Sequence, residues 1–331
     1  MSDAGADIDR PSVLVTRPLP APGVELLEAA GLRVTVSDQD GPIAPEALRA
    51  GVADADALLC MLTDRIDAEL LDAAPRLRVI ANYAVGFDNI DVVEARRRGI
   101  EVTTTPDVLT EATADLTWAL LLATARRLGE GERLIRAEAW RGWGPDQLLG
   151  QPIAGRVLGI VGMGAIGRAV ARRALGFDMR ILYCNRHRVD PAIEEALGAR
   201  HVPLDELLAS SDVVSLHAPR TPETHHLIDA AALARMKPTA ILVNTGRGTL
   251  IDEPALVEAL RQGRLAGAGL DVFEHEPQLA PGLAELDNLV LAPHLGSAST
   301  EARAAMVRLC SGNIIEVLAG RPALTPAPVS R

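Results

Sequence analysis

Aromatic side chains are scarce in this chain of 331 residues: three Phe, two Tyr and three Trp. Hydrophobic residues still make up 48% of it, so aliphatic side chains must fill the cores. That mix suits buried parallel strands covered by alanine-rich helices. Cysteine is equally sparse. Cys60, Cys184 and Cys310 are an odd number, each more than a hundred residues from the next and without Cys-x-x-Cys spacing. Neither a disulfide framework nor a zinc site is indicated, and a reducing cytoplasm is the expected location. Positive charge is in deficit: 33 Lys and Arg against 44 Asp and Glu leave a net charge of −11. Nucleic acid and anionic membrane surfaces are therefore poor partners. Long apolar runs are missing too; the nearest candidate for a membrane span, Trp118 to Ala125, is short and has helical character. The acidic start, Met1 to Pro11, has no basic and apolar signal-peptide pattern.

The length is about two typical domains. From Val13 onward, short apolar runs (Val13–Thr16, Leu32–Val36, Ala57–Leu62, Arg78–Ala81, Ile100–Thr103) alternate with amphipathic segments such as Ala21–Ala30, Asp67–Ala74 and Asp91–Arg98. Strands separated by helices predict a parallel sheet with helices on both faces. A long helix is expected over Val108–Leu128 as a domain connector. After a looser passage, Trp140–Gly150, a second alternation of six strands begins at Val157 and runs through Met179–Tyr183, Val213–His217, Ala240–Asn244, Ala266–Val272 and Leu289–Ala292. A final helix is predicted over Ser299–Leu318, followed by an irregular tail carrying Pro322, Pro326 and Pro328.

Within that second block, Gly162, Gly164 and Gly167 stand in Gly-x-Gly-x-x-Gly spacing between an apolar strand and the helical Arg168–Leu175. Such glycines allow a tight turn, a close approach of backbone to a pyrophosphate, and close helix–strand packing. An NAD-preferring site carries an acid about 20 residues on, to accept the ribose hydroxyls. Here that slot holds Asn185, followed by Arg186, His187 and Arg188. An amide beside two guanidiniums suits a 2′-phosphate, which predicts NADP(H) in preference to a merely usable NAD(H). The alternative is a solvated cluster at a strand end. Farther on, Arg247, Glu276 and His294 each follow the end of an apolar strand, where open α/β sheets bind ligands. A cation for a carboxylate, an acid for a developing alkoxide and an anion to tune that acid suit carbonyl reduction. Taken singly, each has an ordinary loop role; jointly, beside the glycine motif, they point to catalysis.

Six motifs now carry a resemblance: Asn82-Tyr-Ala-Val-Gly-Phe-Asp-Asn-Ile-Asp91, Thr105-Pro-Asp-Val-Leu-Thr-Glu-Ala-Thr-Ala-Asp115, Leu216-His-Ala-Pro-Arg-Thr-Pro-Glu-Thr224, Thr245-Gly-Arg247, Gly269-Leu-Asp-Val-Phe-Glu-His-Glu-Pro277 and Pro293-His-Leu-Gly-Ser-Ala298. With the glycine motif, they make the chain from about Val13 to Pro322 resemble the D-isomer-specific 2-hydroxyacid dehydrogenases, above all the glyoxylate/hydroxypyruvate reductase branch. The resemblance implies two α/β domains of Rossmann-like and flavodoxin-like type with a cleft between them. The substrate domain would be 1–106 plus 297–331 and the dinucleotide domain 107–296. It also implies roles: His294 as general acid/base paired with Glu276, Arg247 on the substrate carboxylate, and Val85 and Gly86 as backbone donors to it. Asp271 would orient the nicotinamide carboxamide, and Thr113 would contact the cofactor. Ala165, Ile166, His217, Thr245, Gly246 and Gly296 complete the expected cofactor contacts.

Glyoxylate or hydroxypyruvate is the expected substrate, and a homodimer the expected assembly. Trp140 and Trp143 resemble a loop that reaches toward a partner subunit, or else simple packing of a dimer arm. Leu62 and Tyr83 are candidate specificity positions. A 2-ketogluconate-type reductase is one alternative. Formate dehydrogenase relatives carry Gln where Glu276 stands, and many phosphoglycerate dehydrogenases carry a further C-terminal domain, so both fit less well. An alternative of another class is a cofactor-sensing protein of the corepressor type, which retains the same Arg, Glu and His. The other histidines are read as structural or solvated, with His217 the one to watch.

Overall fold

The computed structural model describes residues 10–39 and 41–328. The acidic start, Met1 to Asp9, and residues 329–331 lie outside the described residues. The chain divides into two compact units, Met1–Leu109 with Ala298–Arg331, and Thr110–Ser297.

In the first unit, strands β1 (Ser12–Val15), β2 (Arg33–Val36), β3 (Ala57–Cys60), β4 (Val79–Asn82) and β5 (Glu101–Thr103) alternate with helices α1 (Glu25–Ala29), α2 (Pro45–Val52), α3 (Ala68–Asp72) and α4 (Val92–Arg97). They form one parallel sheet in the order β2-β1-β3-β4-β5. β1, β3 and β4 are buried on both faces, which is why they read as unbroken apolar runs and not as alternation. Asp67 and Asp91 accept backbone N–H bonds at the starts of α3 and α4 and so fix where those helices begin.

The second unit opens with α5 (Thr110–Ala125) and α6 (Leu128–Arg136). A single helix over 108–128 was expected. Helix α5 ends at Ala125; Arg127 is left-handed at φ 53°, and α6 follows as a second helix with no buried residue. Then come β6 (Val157–Val161), α7 (Ala165–Ala174), β7 (Arg180–Cys184), α8 (Pro191–Leu197), β8 (Ala199–His201), α9 (Leu204–Ser210) and β9 (Val213–Leu216). They are followed by α10 (Ala230–Arg235), β10 (Ile241–Asn244), α11 (Glu253–Arg261), β11 (Gly267–Leu270) and β12 (Leu289–Leu291). The sheet is parallel and has seven strands, in the order β12-β11-β10-β9-β6-β7-β8. The strand beyond the six expected is β8, a three-residue edge strand without a buried residue, so no apolar run announces it.

Leu121, Leu158, Ile160 and Val243 are fully buried in the layer between this sheet and α5 and α7. Each such aliphatic side chain contributes on the order of 1.5–3 kcal/mol. Two of the few aromatics reinforce that layer: the Trp118 ring stacks on Phe177 at 4.7 Å, and its indole N–H donates to the Val170 carbonyl. Among the described residues, no helix is long and apolar enough to cross a membrane.

The chain returns to the first unit with α12 (Thr300–Leu318), which packs on β4. The tail after it is irregular as expected, with no helix or strand among its described residues, yet it is tied down. Asn313, buried in α12, bonds Thr325 through both its amide oxygen and its nitrogen. Thr325 and Ala327 in turn bond Thr104 and Val102 at β5. The Ser299 hydroxyl accepts the Ala302 N–H and starts α12. Ser299→Ala is expected to lower stability by about 1 kcal/mol and Ser299→Asp to restore it; chemical denaturation followed by circular dichroism checks both.

Candidate active site

The seven-stranded sheet is in register at one edge. Val161 of β6 pairs with Cys184 and Leu216, Leu216 with Asn244, Asn244 with Leu270, and Leu270 with Leu291. The residues that leave the strands next are therefore Gly162, Asn185, His217, Thr245, Asp271 and Ala292, side by side along the carboxyl edge. Order reverses between β6 and β9, and such switch points are where open α/β sheets hold ligands.

The glycine loop is built for close approach. Gly162 has φ +98°, and a Cβ there would fall 2.6 Å from the His217 and Ala218 backbone; a Cβ on Gly167 would fall 2.2 Å from the Gly162 carbonyl oxygen. Gly164 differs: nothing in the protein lies within 4 Å of the position its Cβ would take. Helix α7 starts there, leading with Ala165 and Ile166, and has neither a side-chain cap nor an acid in its first turn. By contrast, Asp190, Asp229 and Asp252 cap α8, α10 and α11. Open space beside uncapped N–H groups at the positive end of a helix fits a dinucleotide pyrophosphate.

Around that loop the expected contacts take on specific structural tasks. Asn185 accepts the Met163 N–H at 2.7 Å and so braces the glycine loop itself. Arg186, His187 and Arg188 are exposed. Arg188 is ion-paired with Glu194, which also accepts the Tyr183 hydroxyl, so its charge is already compensated. Only part of the expected cationic cluster is thus available to a phosphate. His217 bonds Ser215 Oγ at 2.8 Å through Nε2, while its buried Nδ1 has no protein partner. Burial pulls its pKa down to about 4, which keeps the ring neutral. Thr245 meets Thr117 of α5, hydroxyl to hydroxyl at 2.8 Å, and Gly246 accepts a bond from the Arg247 guanidinium.

The His294–Glu276 pair is formed by two loops. His294 Nδ1 lies 2.8 Å from Glu276 Oε2, with both side chains about one-third exposed. Glu276 Oε1 accepts the Phe273 N–H at 3.0 Å. Burial raises the Glu276 pKa, but the hydrogen bond and charge of His294, the Phe273 N–H and the Arg247 charge outweigh it, leaving the carboxyl below its ordinary value. His294 is left-handed at φ 54°. Its N–H donates to the Asp271 carbonyl, and the Asp271 carboxylate accepts the N–H groups of Leu295 (2.6 Å) and Gly296 (2.8 Å). Asp271 is thus the clamp of the His294 loop. Its exposure is 1%. Burial pushes its carboxyl up, while the two N–H bonds and the charge of His294 oppose that rise. Thr113 of α5 donates to the Gly296 carbonyl and secures the same loop from the other side.

In the first unit, Val85 and Gly86 follow β4, where Asn82 donates to the Gly86 carbonyl and Val85 is 36% exposed. Leu62 is exposed at 38%. Tyr83 is not available as a specificity group: it is buried, and its hydroxyl donates to the Arg303 carbonyl. Sequence reasoning missed Ser215, Thr117 and Glu194, whose partners lie within the site. Only Thr117 left a signal, one helical turn after Thr113.

Residues 118–296 match the family model of the D-isomer specific 2-hydroxyacid dehydrogenase NAD-binding domain. The chain is similar to a glyoxylate reductase from Thermococcus onnurineus, 53% identical over 310 residues that cover 92% of each chain. A solved protein from Thermus thermophilus is 50% identical, with a TM-score of 0.89, covering 96% of this chain and all of that one. An NADPH-dependent glyoxylate/hydroxypyruvate reductase from Sinorhizobium meliloti, solved with NADP and malonate, is 35% identical with a TM-score of 0.83, covering 98% and 99%. The in-register edge, the glycine loop and these likenesses agree, and the chain belongs to the D-isomer specific 2-hydroxyacid dehydrogenase family of NAD(P)-dependent oxidoreductases.

Proposed function

We propose that the protein reduces glyoxylate and hydroxypyruvate to glycolate and D-glycerate, preferring NADPH. The observation that carries the reading is the His294–Glu276 contact at 2.8 Å beside the glycine loop. The glyoxylate reductase names of its relatives support the substrate class.

When bound, a nicotinamide dinucleotide supplies the two reducing electrons. Gly162, Gly164 and Gly167 with the first turn of α7 would hold its pyrophosphate. Arg247 binds the substrate carboxylate, and Val85 and Gly86 are the backbone donors that the family resemblance assigns to it. With Nδ1–H donated to Glu276, His294 keeps Nε2 as the nitrogen that passes a proton to the carbonyl oxygen. Glu276, held ionised, favours the imidazolium that must donate. Asp271 and Thr113 fix the loop that carries His294.

The NADPH preference rests on the missing acid at Asn185 and on Arg186 as the principal phosphate contact, with Arg188 secondary because of Glu194. The domain roles follow the same reading, with the first unit taking the substrate and the second the dinucleotide. The exposed Leu128, Ile135, Trp140, Trp143 and Leu149 support a second copy packing on α6 and the loop after it, hence a homodimer. Three free cysteines, two of them buried, support a reducing cytoplasmic location.

Steady-state assays with glyoxylate, hydroxypyruvate, 2-ketogluconate and pyruvate test the substrate reading; no turnover with the first two overturns it. His294→Ala is expected to lower kcat about 10²–10⁴-fold while cofactor binding persists, and an unchanged kcat refutes the proton-donor role. Arg247→Ala should raise KM strongly as well.

Glu276→Gln tests the tuning. A carboxyl whose value is lowered stays charged through the neutral range and stabilises imidazolium there. Its loss should therefore move the basic limb of the kcat/KM profile to lower pH. On the coenzyme side, Arg186→Glu should reduce the NADPH over NADH ratio of kcat/KM by about tenfold or more, and Arg188→Ala by less. Equal effects, or an NADH preference in the wild type, would contradict the assignment.

A further inference from the structure

Outside the His294–Glu276 pair, two neighbouring histidines and a glutamate converge. His225 and His226 follow a short turn at Pro222–Thr224, which Thr221 and Thr224 close by reciprocal bonds. Adjacent side chains on an extended chain point to opposite sides. Here His226 is left-handed at φ 50°, and its ring lies beside that of His225, with centroids 4.0 Å apart. The His226 N–H donates to the Thr249 carbonyl, which anchors the turn. Glu274 arrives from the segment after β11. Its backbone N–H donates at 2.8 Å to Glu253, a buried carboxylate, so the position of Glu274 is fixed independently of the histidines.

Both imidazoles aim Nε2 at one oxygen: Glu274 Oε1 lies 2.7 Å from His226 Nε2 and 3.6 Å from His225 Nε2. One ligand atom from each residue lies within 4.8 Å of the others. We propose that His225, His226 and Glu274 bind one divalent transition-metal ion of the zinc class, through two imidazole nitrogens and one carboxylate oxygen.

The geometry and the donor set agree on the class. Four-coordinate zinc with bonds near 2.1 Å sets its ligand atoms roughly 3.4 Å apart. The His225 distance already matches. The His226–Glu274 hydrogen bond would open by roughly 0.7 Å as the ion replaces its proton. Two imidazoles and a carboxylate suit zinc, nickel or copper, whereas calcium and magnesium require more oxygen ligands than this set offers. The His225 side chain is half exposed, so the fourth position faces water. None of the three ligands belongs to the pair given the acid–base role, so this site stands or falls separately from that reading.

The test uses the full chain, stripped with chelator and titrated near neutral pH with zinc chloride by calorimetry and with cobalt chloride by visible absorption. One saturable ion per chain is expected, with the d–d bands of a four-coordinate nitrogen/oxygen site. Glu274→Gln and His225→Ala should each weaken binding by about tenfold or more. His225 is the more exposed of the two, so its variant decides the matter if Glu274→Gln does not fold. Absence of saturable binding in the wild type, or binding unchanged in His225→Ala, overturns the proposal.

Discussion

The register of the seven-stranded sheet is the constraint on which the site depends. Parallel strands paired from Val161 through Cys184, Leu216, Asn244, Leu270 and Leu291 must all leave the sheet along one edge. A slip of one residue in any strand would turn its side chains to the other face. The glycine loop, Asn185, His217, Thr245 and Asp271 are neighbours because of that pairing, although they are spread over more than a hundred residues of sequence.

Upon that edge, Asp271 converts a sheet terminus into a rigid loop. Its carboxylate is buried, and burial alone would favour the neutral acid. Two backbone N–H groups stabilise the charged form, and hydrogen bonds to a charged group are each worth about 1.5–3 kcal/mol. The loop cannot drift without leaving a buried carboxylate unpaired. His294 is consequently held in a left-handed backbone conformation that an isolated histidine would seldom adopt, with its ring against Glu276. Thr113 closes the arrangement from α5. The second acid of the same segment, Glu274, is held by Glu253 in a comparable way but faces different partners, His225 and His226.

Much of this was legible beforehand. Fully buried parallel strands leave short aliphatic runs, and a capping Asp or Ser, such as Ser299 before α12, marks a helix start, so β6, β9, β10 and α12 fall within a residue or two of their expected positions. The glycine spacing and the motifs around Arg247, Glu276 and His294 were equally plain. What escaped was whatever lacked a local pattern. Edge strand β8 buries no residue. Helix α6, after the left-handed Arg127, buries no residue and contains Gly129 and Gly131, so its sequence does not announce a helix. The tail after α12 is irregular, as its sequence reads, but its anchoring left no local pattern because it comes from Asn313, twelve residues before Thr325.

The sequence by itself determined the fold class and the set of chemical groups, which follow from periodicity, glycine placement and residue type, and it pointed to the family through the resemblance of its motifs. Only the tertiary structure decided how those groups are used. It sets Asn185 to bracing the glycine loop, compensates Arg188 with Glu194, turns Tyr83 inward onto Arg303 and makes Asp271 the clamp of His294. Each of those outcomes depends on a partner brought in by the fold from another element, or from the opposite end of one. Hydrogen-bond capacity belongs to a residue, but its partner belongs to the packing.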